Sequence, residues 1–242
     1  MKFLYNAPAL FHKGALIVGD THFGMEWKLK SKGIYDEQFS MRLFEKLKDL
    51  IKRHKAKKVI FLGDVKEEIT SIDVKTRTIL TKLSELCDIV VAKGNHDGGI
   101  EEFIGAEVHP PQGFVFENLG LIHGNSWPGS DLLKCDYLVM GHQHPMVSFT
   151  DKMGRKHSEP VWILADPDAG EISKHYEKFN KKIKLILMPA FNPLVGFPIN
   201  LRRKEQFGPV LNNKLFKIND ALLFRLDGTG LGPLKNITTH KR

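Results

Sequence analysis

Cysteine is scarce in this 242-residue chain: Cys87 and Cys135 stand in unrelated contexts. Two such residues exclude a disulfide framework, and a reducing cytoplasm is the expected location. No run is long and apolar enough to span a bilayer, so no membrane role is expected. The first twenty residues, "MKFLYNAPALFHKGALIVGD", hold neither a sustained apolar segment nor a small-residue cleavage site. They read as the first strands of the fold and not as a signal peptide. No internal repeat is visible, which excludes solenoids and propellers. Glutamine is rare beside lysine and isoleucine, a composition like that of heat-adapted proteins.

What is present is ordinary for a soluble globular chain, with 42% hydrophobic and 26% charged residues. The formal charge of +8 has two readings. It suits an anionic partner such as nucleic acid, and it equally suits a lysine-rich, heat-adapted surface. The run "KRHKAKK" from Lys52 to Lys58 closes a helix, where cations complement the negative end of the dipole.

The first two-thirds of the chain alternates strand and helix. "ALIVGD" (15–20), "KVIFLGD" (58–64), "DIVVAKGN" (88–95), "LGLIHG" (119–124) and "YLVMGHQH" (137–144) begin as short apolar runs. Between them, Phe39, Leu43, Leu47, Leu50 and Ile51 recur at helical spacing within 36–54. A second helix is expected to be capped by Ser71, with Val74, Ile79, Leu83 and Leu86 inward. Strands that are apolar throughout imply a sheet covered on both faces. After Pro145 the chain reads mostly as β: "MVSFTDKMGRKHSEPVWIL" reads as strand, turn, strand, and Asp166 to Lys182 as a polar surface helix or loop, with the polar insert set at about 151–182. The expectation is one α/β domain over 1–242, a four-layer αββα sandwich of two mixed sheets flanked by helices.

The strand ends carry the chemistry. The five runs stop in turn at Asp20 and His22, at Asp64, at Asn95, His96 and Asp97, at His123, and at His142 and His144. In α/β sheets, ligands bind beyond the carboxyl ends of the strands. Oxygen and imidazole donors without thiolate favour Mn, Fe, Zn, Co or Ni over softer ions. One tetrahedral ion needs four ligands, whereas seven suit two ions sharing a carboxylate. Two ions about 3.5–4 Å apart make a clamp for displacement at phosphorus.

"DTH", "GDVKE", "GNHD", "HGN" and "GHQH", in that order, resemble the motifs of the calcineurin-like metallophosphoesterases. "GDVKEE", "GHQHPMV" and "LMPAFNPLVGFPIN" further resemble the archaeal branch related to the nuclease SbcD. The resemblance implies two divalent ions, manganese first. Asp20, His22, Asp64 and His144 would hold one, and Asn95, His123 and His142 the other, with Asp64 bridging. A metal-bridging hydroxide would attack phosphorus in line with the leaving group. His96 would serve the leaving oxygen, and Asp97 would fix the His96 tautomer. The substrate would be a phosphodiester, in DNA or RNA, and a protein partner or homodimer stays open.

Two departures stand out. Lys66, Glu67 and Glu68 replace the acid–arginine pair that many relatives carry after the GD motif. The chain is also short for an SbcD-type nuclease. A phosphodiesterase or monoesterase for small nucleotides therefore stays open, as does a non-catalytic nucleic-acid-binding subunit. The cap that would grip nucleic acid is expected within 151–182, with Lys152, Arg155, Lys156, Lys174, Lys178, Lys181 and Lys182. Trp127, Phe191 and Phe197 read as packing residues. His12, His54, His109, His157, His175 and His240 read as solvated or structural.

Overall fold

The computed structural model describes residues 1–103, 105–150, 153–199 and 208–237, the Phe197 side chain excepted. Asp151, Lys152, Asn200 and His240, each named above, lie outside the described residues.

Two mixed sheets face one another. The first consists of β1 (Lys2–Phe3), β2 (Leu10–His12), β3 (Ala15–Val18), β4 (Lys58–Phe61), β5 (Asp88–Ala92) and β6 (Ala106–His109), in that spatial order. From β3 to β6 the strands are parallel; β1 and β2 add antiparallel. The second comprises β7 (Phe114–Phe116), β8 (Leu119–Ile122), β9 (Tyr137–Met140), β10 (Pro145–Thr150), β11 (Lys156–Ala165), β12 (Lys184–Leu187), β13 (Phe197–Pro198), β14 (Leu222–Arg225) and β15 (Gly230–Pro233). Its central strands β8, β9 and β12 run parallel.

Period-two alternation in buried strands produces the layers. Ala15, Ile17, Ile60, Leu62, Val90 and Ala92 point at Leu121, Val139, Trp162 and Ile186, closing the core between the sheets. Their neighbours Leu16, Val18, Val59, Phe61 and Val91 point the other way. There they meet α2 (Phe39–His54) and α3 (Val74–Ser84) through Leu43, Leu47, Ile79 and Leu83. On the far face of the second sheet, Leu138, Met140, Ile163 and Leu187 pack under α4 (Ala169–Ser173), α5 (Pro209–Asn212) and the segment around Leu215 and Phe216. The expected pair of mixed sheets flanked by helices is thus present. The short helix α1 (Glu26–Ser31), which follows β3, carries no sequence signal strong enough to have been expected.

Two local expectations are corrected. The cap of α3 is Asp73, not Ser71: the Thr76 amide donates to Asp73 Oδ1 at 3.0 Å. Ser71 lies too far upstream to reach the first turn. Val74 and Leu86 point to solvent, while Ile79 and Leu83 are buried.

Within the expected insert, Lys156–Ala165 forms β11, the second strand of the hairpin read from the sequence, so the insert bounds are too wide. Val161, Trp162 and Ile163 of β11 are buried in the centre of the second sheet. Ile163 pairs with Leu187, and Leu187 with Met140, so the outer half of β11 projects past the edge where His142 stands. Residues 166–182 instead join Ala165 to Lys184 at the opposite edge. Lys174, Lys178, Lys181 and Lys182 therefore sit away from the strand ends that carry the candidate ligands and cannot cap them.

The two faces of α3 should separate cleanly. Ile79→Ala should cost about 2–5 kcal/mol in denaturant unfolding, as for a fully enclosed large-to-small change. Val74→Ala, on the exposed side, should stay within about 0.5 kcal/mol. Equal costs would refute this placement of the helix.

Candidate metal centre

Each candidate ligand stands one to four residues past the end of a central parallel strand. The chain there turns through left-handed backbone. Asp20 (φ 57°), His22 (45°), Asp64 (48°), His142 (63°) and His144 (42°) all have positive φ. They are five of the ten non-glycine residues with positive φ among those described. Such turns are costly for residues with a Cβ and are tolerated best by short polar side chains. Here they swing successive donors toward one point beyond the sheet edge. Gly63 makes room for it: a Cβ at this residue would lie 2.4 Å from Nδ1 of His123.

The donors gather into three groups. Asp20, His22, Asp64 and His144 form one; Asp64, His123 and His142 form a second that shares Asp64 with it; and His22, Glu67 and His96 form a third that shares His22. Oδ2 of Asp64 is 3.7 Å from Nε2 of His22 and 3.4 Å from Nε2 of His123. Nε2 of His144 is 2.9 Å from Oδ1 of Asp20. In the second group, Nε2 of His123 lies 3.2 Å from Oδ1 of Asn95 and 3.1 Å from Nδ1 of His142. The structure thus brings together all seven residues proposed as ligands. His123 Nδ1 faces the Leu62 carbonyl at 2.8 Å, which leaves Nε2 turned to the centre.

The site suits cations on two counts. Both ring nitrogens of His22, Nε2 of His144 and Oε2 of Glu67 are buried without an aligned hydrogen-bond partner, as atoms near an ion would be. The titration of the imidazoles agrees. Burial opposes a charge on His123, but Asp64 and then Asp20 outweigh it and push its pKa up to about 9. Burial and the neighbouring His123 charge press His142 down to about 4. Asp20 and Asp64 stay below the usual carboxylate range, because His144 and His123 respectively overcome the cost of burying them. The carboxylates hold a proton on His123 where a divalent ion would supply the positive charge.

The expectation for Asp97 is corrected. Its carboxylate does not touch the His96 ring. Oδ1 accepts the Val65 amide at 2.8 Å and Oδ2 the Gly94 amide at 2.9 Å. Two buried backbone donors must be satisfied, and they take both oxygens. His96 Nδ1 faces the main-chain oxygen of Glu67 at 2.9 Å instead. The His96 ring lies 5.0 Å from that of His22, beside the ligand group. Its amide donates to Oδ1 of Asp64 at 2.8 Å.

Two contributors escaped the sequence. Lys66 is fully buried, and its Nζ donates to the carbonyls of His96 (2.8 Å), Ile69 (3.0 Å) and Glu68. Glu67 places Oε2 2.8 Å from Nδ1 of His22, and its other oxygen pairs with Lys28. A KEE run after GD reads only as a departure from relatives; the fixed distance of Glu67 from His22 is a tertiary fact. Of the residues read as packing, Phe191 is buried in the helical layer. Trp127 is partly exposed and packs its ring against His175 and Tyr176.

Two donor groups sharing a carboxylate, on the carboxyl edge of a two-sheet α/β sandwich, define a metal-dependent phosphoesterase. Residues 15–133, just under half of the chain, match the calcineurin-like phosphoesterase family. The matched span ends before β9 and leaves His142 and His144 beyond it. Among solved structures, the nuclease MPE of Pseudomonas putida is similar, with 17% identity and a TM-score of 0.58. That likeness covers 95% of this chain and 93% of that one, and it supports the fold. The phosphoesterase YfcE of E. coli aligns at 15% identity and a TM-score of 0.42, over 90% of this chain and 96% of its own. Among curated proteins, none matches the chain significantly. No helix among the described residues is long and apolar enough to cross a membrane.

Because His123 must be neutral to ligate, an ion and a proton compete for it. Its pKa is raised from 6.5 to about 9 by folding. In the metal-free protein its ion pairing therefore contributes stability fully below pH 6.5, and that contribution is lost as pH rises through about 9. Metal affinity runs the other way. It should climb by up to roughly tenfold per pH unit over that window and flatten above it. Titration calorimetry in buffers of different ionisation enthalpy should count at least one proton released per chain near neutral pH, since the neighbouring carboxylates also raise the pKa of His22 against its burial. Release of none would show that His123 is not a ligand.

Proposed function

We propose that the chain hydrolyses phosphodiesters in nucleic acid with two divalent ions, manganese first, as an SbcD-like nuclease in the cytoplasm. Asp20, His22, Asp64 and His144 hold one ion; Asn95, His123 and His142 complete the second. The observation that carries this reading is the position of Asp64, whose Oδ2 faces His22 on one side and His123 on the other. When bound, such a pair of ions lowers the pKa of water to near ~7 and neutralises charge developing on phosphoryl oxygens. Asp64 spends Oδ1 on the His96 amide, so one oxygen fixes the loop while the other stays with the ligand groups. His96 keeps its Nδ1 proton on the Glu67 carbonyl, so it acts as an acid only as the imidazolium, whose second proton, on Nε2, goes to the leaving oxygen.

The net charge of +8 supports a polyanionic substrate, as does the fold shared with a protein described as a nuclease. One observation favours a second reading, a small-nucleotide phosphodiesterase or monoesterase: Lys174, Lys178, Lys181 and Lys182 belong to the edge opposite the site. One domain over 1–242 accommodates either substrate. A purely nucleic-acid-binding role leaves the complete donor set without a purpose.

A metal-reconstituted assay over single strands, duplexes, and cyclic and linear nucleotides decides between them. Nucleic-acid cleavage, with binding that weakens steeply as salt rises, is expected. Turnover of small nucleotides alone would select the second reading, and no turnover of any ester would sink both.

Two substitutions test the roles. Asp64→Asn should fold, lose most bound metal and lose nearly all activity; two ions per folded chain would remove the shared role of Asp64. His96→Gln should keep both ions and lose roughly 10²–10⁴-fold in turnover. That loss should shrink for an ester with a good leaving group. An equal loss for good and poor leaving groups would assign His96 to binding instead.

A further inference from the structure

Glu67 touches two imidazoles with two different atoms. Its side-chain Oε2 lies 2.8 Å from Nδ1 of His22. Its main-chain oxygen lies 2.9 Å from Nδ1 of His96. In both rings the nitrogen nearest an acceptor oxygen is Nδ1. For His96 the contact is in line as a hydrogen bond; for His22 it is a close but unaligned carboxylate contact, where a bare nitrogen lone pair at that distance would be repelled. The nitrogen left over in both is Nε2. For His22 that atom is the one 3.7 Å from Asp64, within the first ligand group. The two rings stand edge to face, 5.0 Å apart. A neutral imidazole carries one proton on one of two nitrogens, and an acceptor at Nδ1 decides which.

We infer that Glu67 is a positioning residue that fixes the tautomers of His22 and His96 together, the first through its carboxylate and the second through its peptide carbonyl. In each ring Nδ1 keeps the hydrogen and Nε2 is presented to the centre.

The surroundings of Glu67 fit that task. Its side chain is almost fully enclosed, and an enclosed carboxylate needs partners for both oxygens. Lys28 of α1 takes the outer oxygen, which leaves the inner one for His22. The backbone around Glu67 is pinned as well. Its amide donates to the Phe23 carbonyl at 2.9 Å, one residue past His22. The preceding Lys66 holds the His96 carbonyl at 2.8 Å. Glu67 is therefore held, by its own amide and by the side chain of Lys66 before it, to the same two segments whose rings it orients. The contact to His22 matches the carboxylate–histidine pairing that orients metal-ligating imidazoles and raises their basicity.

The role rests on the two-ion reading above, but its test can be read without catalysis. Long-range proton–nitrogen spectra of ¹⁵N-labelled, metal-free protein report the tautomer of each histidine. They should be taken at about pH 10, above the imidazole titration range. In the wild type, His22 and His96 should both be Nδ1–H. Glu67→Ala removes the carboxylate and keeps the carbonyl, so His22 should become a mixture while His96 stays unchanged. Mn(II) affinity, measured by calorimetry, should fall about 10–100-fold. Glu67→Gln keeps an acceptor oxygen for His22, since the part-exposed Lys28 can turn to water. It should restore the wild-type tautomer and bring affinity to within about threefold of wild type.

Wild-type His22 found as Nε2–H overturns the inference whatever the variants do. So does a single unchanged His22 tautomer in Glu67→Ala, or a joint shift of both rings. Three Mn(II) per wild-type chain falling to two in Glu67→Ala would make Glu67 a ligand, and that too overturns it. If the protein hydrolyses no ester yet shows the split response of the two rings, the catalytic reading fails and the positioning role stands.

Discussion

The site depends on a clamp between two loops at the ends of adjacent strands. Four consecutive residues, Asp64 to Glu67, each hold the 94–97 segment. Asp64 Oδ1 accepts the His96 amide, and the Val65 amide donates to Asp97. Lys66 Nζ donates to the His96 carbonyl, and the Glu67 carbonyl faces His96 Nδ1. Their directions differ, so neither loop can slide or rotate without breaking several at once. Gly94 lets the loops come this close, since a Cβ there would lie 2.4 Å from the Asp64 amide nitrogen. The clamp puts His96 beside the ligand groups without making it one of their members.

That closeness has an energetic cost. Five ligand residues adopt left-handed backbone, for which a residue with a Cβ loses roughly 1–2 kcal/mol. Asp20, Asp64 and His123 are also buried, together with the buried Asp97 and Lys66. Strands enclosed on both faces offset this cost, because β3, β4 and β9 cannot shift register without expelling Ile17, Ile60 or Val139 from the inter-sheet core. Rigid strands and strained ends are two parts of one design, in which strain concentrates at the functional edge.

Much of this was legible in the sequence, for a physical reason. A buried parallel strand is a short apolar run, and the residues just after it must stand at the carboxyl edge. Asp20, Asp64, Asn95, His123 and His142 were placed by that rule alone. The direction of a side chain is another matter. "GNHD" does not say that Val65 and Gly94 amides will take both oxygens of Asp97, because Val65 is distant in sequence. Nor does "GDVKE" say that Lys66 turns inward to three carbonyls. The misread insert has a similar cause. The outer half of β11, "KHSEP", is polar because it pairs only with β10 beyond the body of the sheet. Its polarity drew the bounds of the insert over it, although the buried half that follows, "VWIL", reads as strand. Asp73 outcompeted Ser71 as a cap through its position next to the first turn, a choice between neighbours that pattern does not resolve.

The order of the ligands along the chain has a consequence for biosynthesis. Asp20, His22, Asp64 and Asn95 follow strands of the first sheet; His123, His142 and His144 follow strands of the second. Contacts such as Asp20 with His144, and Asp64 with His123, exist only when the sheets have docked. A chain emerging from the ribosome completes its first sheet before the last two histidines are made. It then holds half a donor set, open to water and without its counterparts. Assembly of the candidate metal centre is thereby deferred to the final docking step, so a nascent chain cannot hold the full donor set before its two sheets meet.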